Sequence, residues 1–136
     1  MINHQFAFSK QEHLRSKTQI TDLFGKGDSL ISYPIRVVWN VVPSGKGCPI
    51  NVVLSVSKKK LKHAVDRNRV KRLLHESYRL NNKSLQQLAI SKGISINIAF
   101  VWLSLEESSF LQIEKKMKNA FSKIEASLLK LEPIDF

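Results

Sequence analysis

Between residues 58 and 79 the chain gathers side chains able to grip a polyanion. Nine basic residues (Lys58, Lys59, Lys60, Lys62, Arg67, Arg69, Lys71, Arg72 and Arg79) stand against two acidic ones, Asp66 and Glu76. That stretch holds a net +7 of the formal +11 carried by 22 Lys+Arg and 11 Asp+Glu. Arg69 and Arg72 are planar forks suited to bidentate contacts with phosphates or base edges, and the lysines act as point charges. Asn68 can donate to and accept from RNA groups. The competing reading is a solvated charged face, but such faces normally interleave both signs. Here Glu76 is the only acid after Asp66 on the expected helix, and like charges at i,i+4 cost about 0.2–0.5 kcal/mol each. Repulsion of that kind is easiest to understand where a polyanion neutralises it, so phosphate binding is favoured.

Other chemistries find no support. There is no paired-cysteine metal motif, and His4, His13, His63 and His75 lack zinc-ligand spacing. No P-loop or dinucleotide glycine pattern occurs, since Gly45-x-Gly47 belongs to a turn. Glu106-Glu107 precedes a helix and favours its N-terminus through the dipole rather than holding a metal. No metal site and no convergent set of catalytic groups is expected in the protein itself.

The basic residues need elements to position them. A helix is predicted from about Ala64 to Leu80, ending at Asn81-Asn82. At about 100° per residue, Val70, Leu73, Leu74, Ser77 and Tyr78 share one arc for packing. Asn68, Lys71, Arg72, His75 and Arg79 fill the opposite arc, with Arg69 at its edge. Residues 34–42 alternate, with Ile35, Val37, Trp39 and Val41 on one face and Arg36, Val38, Asn40 and Val42 on the other, as a half-buried strand does. Pro43 to Gly47 reads as a turn, and a second strand follows over 50–57. The two are expected to pair as a hairpin with a long loop. A third strand over 95–103 presents Ile96, Ile98, Phe100 and Trp102 together, and a short extra strand fits within 30–33.

Further helices are predicted from Ser16 or Thr18 to Gly25–Gly27, for one or two turns over 84–91 before Gly93, and from Ser108 or Ser109 onward. The last carries Phe110, Ile113, Met117, Ala120 or Phe121, Ile124 and Leu128 at core spacing. The whole chain, 1–136, is expected to form one α+β domain: about three helices on a mostly antiparallel sheet with three clear strands. At 43% hydrophobic and 24% charged residues, the composition is that of a folded globular protein. Cys48 is the only cysteine, which excludes an intrachain disulfide and fits a cytoplasmic location. The N-terminus leads into no apolar stretch of signal-peptide length, and residues 94–105 are too short to cross a bilayer. No membrane partner is expected.

From Lys58 to Arg79, and above all in the Ala-Val-x-Arg-Asn-Arg-x-Lys-Arg pattern at Ala64–Arg72, the chain resembles the bacterial ribonuclease P protein component. The resemblance extends through Phe8-Ser9-Lys10, Leu23-Phe24-x-x-Gly27 and Leu54-Ser55-Val56-Ser57-Lys58-Lys59. It implies a four-stranded sheet with a left-handed βαβ crossover. It further implies an accessory subunit of an endoribonuclease that removes the 5′ leader of precursor tRNA. The catalytic RNA carries the chemistry with Mg²⁺ held mainly by RNA, and neither a protein partner nor an intrinsic cofactor is required. Carried over by position, Arg67, Asn68, Arg69, Lys71 and Arg72 contact that RNA, with Lys58, Lys59, Lys60, Lys62, His75 and Arg79 beside them. Ile20, Phe24, Arg36, Val38 and Asn40 are then expected to line the leader cleft.

Four departures stand out. Ile20 replaces a common aromatic, which weakens base stacking. The glycine usual before Ala64-Val65 is absent, in a segment one residue longer. His75 replaces a common arginine, as either a pH-dependent contact or a spectator. His13-Leu14 stands where Arg-Leu is common. Without the resemblance, the same basic stripe fits a general structured-RNA or ribosome-associated binding protein.

Overall fold

The computed structural model describes residues 17–43 and 49–130. The expectations at His4, Phe8–Lys10, His13, the Gly45–Gly47 turn and Cys48 lie outside them. The described elements are α1 (Lys17–Lys26), β1 (Asp28–Ser32), β2 (Ile35–Pro43), β3 (Ile50–Ser55), α2 (Ala64–Asn81), α3 (Lys83–Lys92), β4 (Ile94–Trp102) and α4 (Phe110–Lys130).

The sheet runs β1-β2-β4-β3, with β2 antiparallel to both neighbours and β3 parallel to β4. The expected hairpin between the strands at 34–42 and 50–57 is therefore corrected, because β4 inserts between them. β4 is buried along nearly its whole length on both faces, and a strand with so much apolar surface to cover lowers its free energy most inside a sheet, where both faces and both edges are covered. The chain reaches β4 from β3 through α2 and α3, as a parallel pair requires a long crossover. The sheet is thus mixed, the extra strand is β1, and there are four helices. Residues 84–91 belong to a full helix, α3, stopped by Gly93 at φ 67, where a side chain would be strained. The α4 start falls at Ser109, whose Oγ accepts the Gln112 amide at 3.3 Å and whose carbonyl accepts that of Ile113.

One sheet face carries the main core. Ile35, Val37 and Trp39 of β2, Ile50 and Val52 of β3, and Ile96, Ile98, Phe100 and Trp102 of β4 pack under α2 and α4. The rings of Tyr78, Phe100 and Phe121 meet with centroids 6.0–6.2 Å apart, tilted or edge-on, a favourable arrangement for their quadrupoles. The α4 stripe from Ile113 to Leu128 is buried as its spacing predicts.

α1 lies on the opposite face, held by a much smaller cluster. Leu23 is wholly buried on Val38 and Ala99, with Ile20 and Val53 partly covered around it. Gly27 permits this close approach. Its amide donates to the Leu23 carbonyl at 2.9 Å, and a Cβ there would lie 2.4 Å from the Leu23 oxygen and 2.9 Å from the Trp39 oxygen. Both obstacles are backbone, so Gly27→Ala must push α1 off β2. The expected cost is about 1–3 kcal/mol, read as a lower denaturation midpoint; an unchanged midpoint would contradict the packing.

Candidate nucleic-acid interface

The α2 helix begins after His63, which is extended and caps through its carbonyl, accepting the Asp66 and Arg67 amides at 3.1 Å each. Asp66 in the first turn and Arg79 in the last complement the helix dipole. Val70, Leu74, Ser77 and Tyr78 are buried, and Leu73 is half-buried beside them. Asn68, Arg69, Lys71 and Arg72 are exposed, as the two-arc reading predicts, whereas His75 and Arg79 are half-buried.

The basic residues divide by what already holds them. The Nη1 group of Arg67 donates to the Leu61 and Lys62 carbonyls, both at 2.9 Å, and so ties the β3–α2 connection to the helix. That clamp keeps the lysines of 58–62 beside the α2 N-terminus, with Leu61 anchored in the core. Arg79 donates to Glu76 through Nε at 3.1 Å and also through Nη2. This hydrogen bond holds the Glu76 carboxyl below its ordinary pKa and raises that of Arg79. Any stability from the pair is present above the usual carboxylate range and lost as pH falls through the lowered value; its exposure keeps that contribution small. Arg69 pairs loosely with Glu107 at 3.4 Å in solvent, a contact worth ~0–1 kcal/mol and easily exchanged for a phosphate. Lys58, Lys59, Lys62, Lys71 and Arg72 are exposed and carry no ion pair among the described residues, and Lys60 is half-buried.

Arg67→Lys keeps the charge but cannot reproduce the double carbonyl contact. A loss of about 1–2 kcal/mol in denaturation experiments is expected, with faster proteolysis at the lysines of 58–62. If stability is unchanged, Arg67 is not the clamp described.

The second face is built from rows of paired residues. Strand register places Arg36–Val101–Ser55, Val38–Ala99–Val53 and Asn40–Asn97–Asn51 across β2, β4 and β3. α1 covers the middle row. Val38, expected in the cleft wall, is corrected to a support: it is 1% exposed beneath Leu23, because the small Ala99 and Val53 beside it leave room for the helix. Phe24 is 41% exposed on α1, Ile20 is half-buried, and Arg36 is half-buried with its Nε donating to Ser29 Oγ at 3.1 Å.

The asparagine row was only partly legible. Asn40 was singled out, but Asn51 and Asn97 join it through pairing that no local pattern reveals. Asn51 Nδ2 donates to Asn97 Oδ1 at 3.2 Å, while Asn40 Oδ1 is buried without a partner among the described residues. Asn97 is 1% exposed, so the amides this row can offer a base are those of the half-buried Asn40 and Asn51, and the exposed Phe24 ring of α1 can stack on a base.

Comparison with known proteins places these two faces in context. The family model described as Ribonuclease P matches residues 8–125. The chain is 36% identical over 119 residues to the ribonuclease P protein component of Porphyromonas gingivalis (strain ATCC 33277), covering 88% of this chain and 87% of that one. It is 29% identical over 136 aligned residues to the ribonuclease P protein component of Chlorobium phaeobacteroides (strain DSM 266), covering 93% of each. The RNase P protein of Staphylococcus aureus shares the fold, with a TM-score of 0.60 at 20% identity over 83% of this chain and 94% of that one. A mutant of that protein described as defective in mRNA degradation activity gives a TM-score of 0.65 at 18% identity, over 85% and 90%.

Proposed function

From the premise that this chain belongs to the ribonuclease P protein family, we propose that it binds a catalytic RNA and the 5′ leader of precursor tRNA. In that particle it assists the endonucleolytic cut that leaves the mature tRNA 5′ end. The observation that carries the proposal is the separation of two surfaces on one small domain. Lys71, Arg72 and the lysines of 58–62, with Arg69 held only loosely by Glu107 and Asn68 as a polar neighbour, present charge for the phosphates of a folded RNA. On the other side of the sheet, α1 carries Phe24, and Arg36 and Asn40 stand in the rows on either side of the one it covers, where an unstacked single strand can lie against amides, a guanidinium and one aromatic.

In this reading the RNA subunit supplies the chemistry, with divalent ions, usually Mg²⁺, held by RNA. Among the described residues no group of three His, Cys, Asp or Glu is placed to hold a metal ion. The chain contributes binding and orientation, holding the leader so that the scissile bond sits at the RNA's reactive site. No described helix is long and apolar enough to cross a membrane. Work in the cytoplasm without an obligatory protein partner belongs to the same proposal.

Reconstitution tests it. The chain is mixed with its cognate RNA subunit and precursor tRNAs of graded leader length at modest Mg²⁺. Faster 5′ cleavage and tighter, leader-dependent binding are expected. If neither changes, the proposal fails. Binding indifferent to the leader would instead indicate a general structured-RNA binder. Cleavage by the chain alone would indicate a protein nuclease.

A further inference from the structure

The two outer strands of the sheet, β1 and β3, lie at opposite edges, and Lys58 follows directly from the β3 side. At the β1 edge the sheet has a step. β1 pairing stops at Asp28↔Trp39, whereas β2 continues to Pro43. Beyond Trp39 no described strand lies on that side of β2. The step opens a cleft of about 610 Å³ whose lining includes Lys26, Asp28, Trp39, Asn40, Lys123 and Ser127. Lys26 ends α1 and Asn40 belongs to the asparagine row, so both come from the leader-cleft side. Lys123 and Ser127 come from α4, on the opposite side of the sheet. The notch therefore joins the two faces around an open edge.

The exposed side of α4 has a matching character. Lys116, Asn119, Lys123, Ser127 and Lys130 recur at three- or four-residue intervals and so form one stripe. Its lysines at 116, 123 and 130 follow one another at about 10 Å along the axis. Among the described residues no carboxylate shares this arc. Glu114 and Glu125 point about half a turn away, and Glu114 is already engaged by Asn81 Nδ2 at 3.1 Å and Lys118 at 3.8 Å. The stripe is held beside β1, because Ser32 Oγ donates to the Lys116 carbonyl at 2.9 Å and Asn119 Nδ2 donates to Ser32 Oγ at 3.1 Å. Asp28 is the one carboxylate in the notch lining.

We propose that a single-stranded RNA lying in the α1–sheet cleft turns through this notch and continues along the lysine stripe of α4. The inference rests on the leader-binding reading and extends it: α4 would be a second contact for the part of a long leader that outruns the cleft. The occupant is an RNA strand because the α4 stripe is a row of point charges, a small amide and a hydroxyl, while Leu30, Trp39 and Val41 in the notch lining give a turning strand one apolar surface to lie on. Such a row recognises a phosphate backbone irrespective of sequence. Lys26 and Asn40 belong both to the α1 side and to the notch lining, so the path is continuous.

The test compares precursor tRNAs with leaders of about 5 and about 15 nucleotides, within the site sizes a single-strand-binding fold accommodates. Each is bound to the reconstituted RNA–protein particle. The long leader is expected to bind roughly tenfold tighter, with a steeper salt dependence. Lys123→Gln/Lys130→Gln should remove that increment and lower the salt slope on the long leader by about 1.4. Short-leader affinity, RNA-subunit affinity and the denaturation midpoint should stay unchanged. A control pair on α3, Lys83→Gln/Lys92→Gln, makes the same charge change elsewhere and should leave the increment intact. The inference is overturned if the long-leader increment survives the α4 substitutions, or if both leader lengths lose equally. It is also overturned if the control pair has the same effect. Failure of the underlying reading looks different: the short leader would then bind no better than a leaderless tRNA.

Discussion

Raising monovalent salt from about 50 to about 200 mM will weaken binding of this chain to its RNA subunit by roughly three-hundred- to a thousandfold, the loss expected for about six neutralised phosphates. The six exposed cations on the α2 side are Lys58, Lys59, Lys62, Arg69, Lys71 and Arg72. Arg67 and Arg79 are left out because backbone carbonyls hold the first and Glu76 the second. The expected slope of log affinity against log salt is about −4 to −5. Lys71→Gln/Arg72→Gln should reduce the slope by about 1.4–1.8 and cut affinity about a hundredfold at low salt, at ~1.5 kcal/mol per charge-assisted contact. Stability should move by less than about 0.5 kcal/mol, since both side chains are exposed and unpaired among the described residues. A flat salt response, or an unchanged slope in the double variant, would take the phosphate contact off this face.

Leu23→Ala should abolish leader-dependent binding while leaving the RNA-subunit interaction intact. Leu23 is wholly buried, yet it belongs to the small cluster with Val38 and Ala99 rather than to the main core. Truncating a buried leucine costs about 2–5 kcal/mol, and α1 has little else to hold it: Ile20 and Val53 are only partly buried. The helix therefore detaches locally instead of unfolding the domain. Tyr78, Phe100 and Phe121, in the core on the other face, keep α2 in place. Precursor affinity should fall to that of a leaderless tRNA, and RNA-subunit affinity should change by less than about twofold, within the range expected for a distant, independent site. Leu23→Ile tests packing apart from chemistry and should retain most of the leader effect. Equal losses in both binding steps would refute the division into two surfaces.

Of these surfaces, the α2 face was legible apart from His75 and Arg79, which are half-buried, because a helix repeats every 3.6 residues. The spacing of Val70, Leu74, Ser77 and Tyr78 against Asn68, Lys71 and Arg72 settles its buried and exposed sides before any partner is known. Alternation did the same for β2, and Gly27, Gly93 and Ser109 marked ends through chemistry that acts within a few residues. The left-out pieces were non-local. Strand pairing depends on which strand gains most from burial on both faces, a competition among segments far apart in sequence, and β4 took the centre that a hairpin would have denied it. Register then carried Asn51 and Asn97 to Asn40, and α1 covered Val38 while leaving Phe24 exposed.

The type and number of charges on α2, and the direction they face, follow from the amino-acid sequence itself, because charge is a property of residues and helical periodicity is local. Which charges remain free for RNA was decided by folding. Backbone carbonyls from the β3–α2 connection occupy Arg67, and Glu107, 38 positions further along, approaches Arg69. The tertiary structure alone made the notch beside β1, since it arises from strands of unequal length meeting in an order that no local interaction specifies.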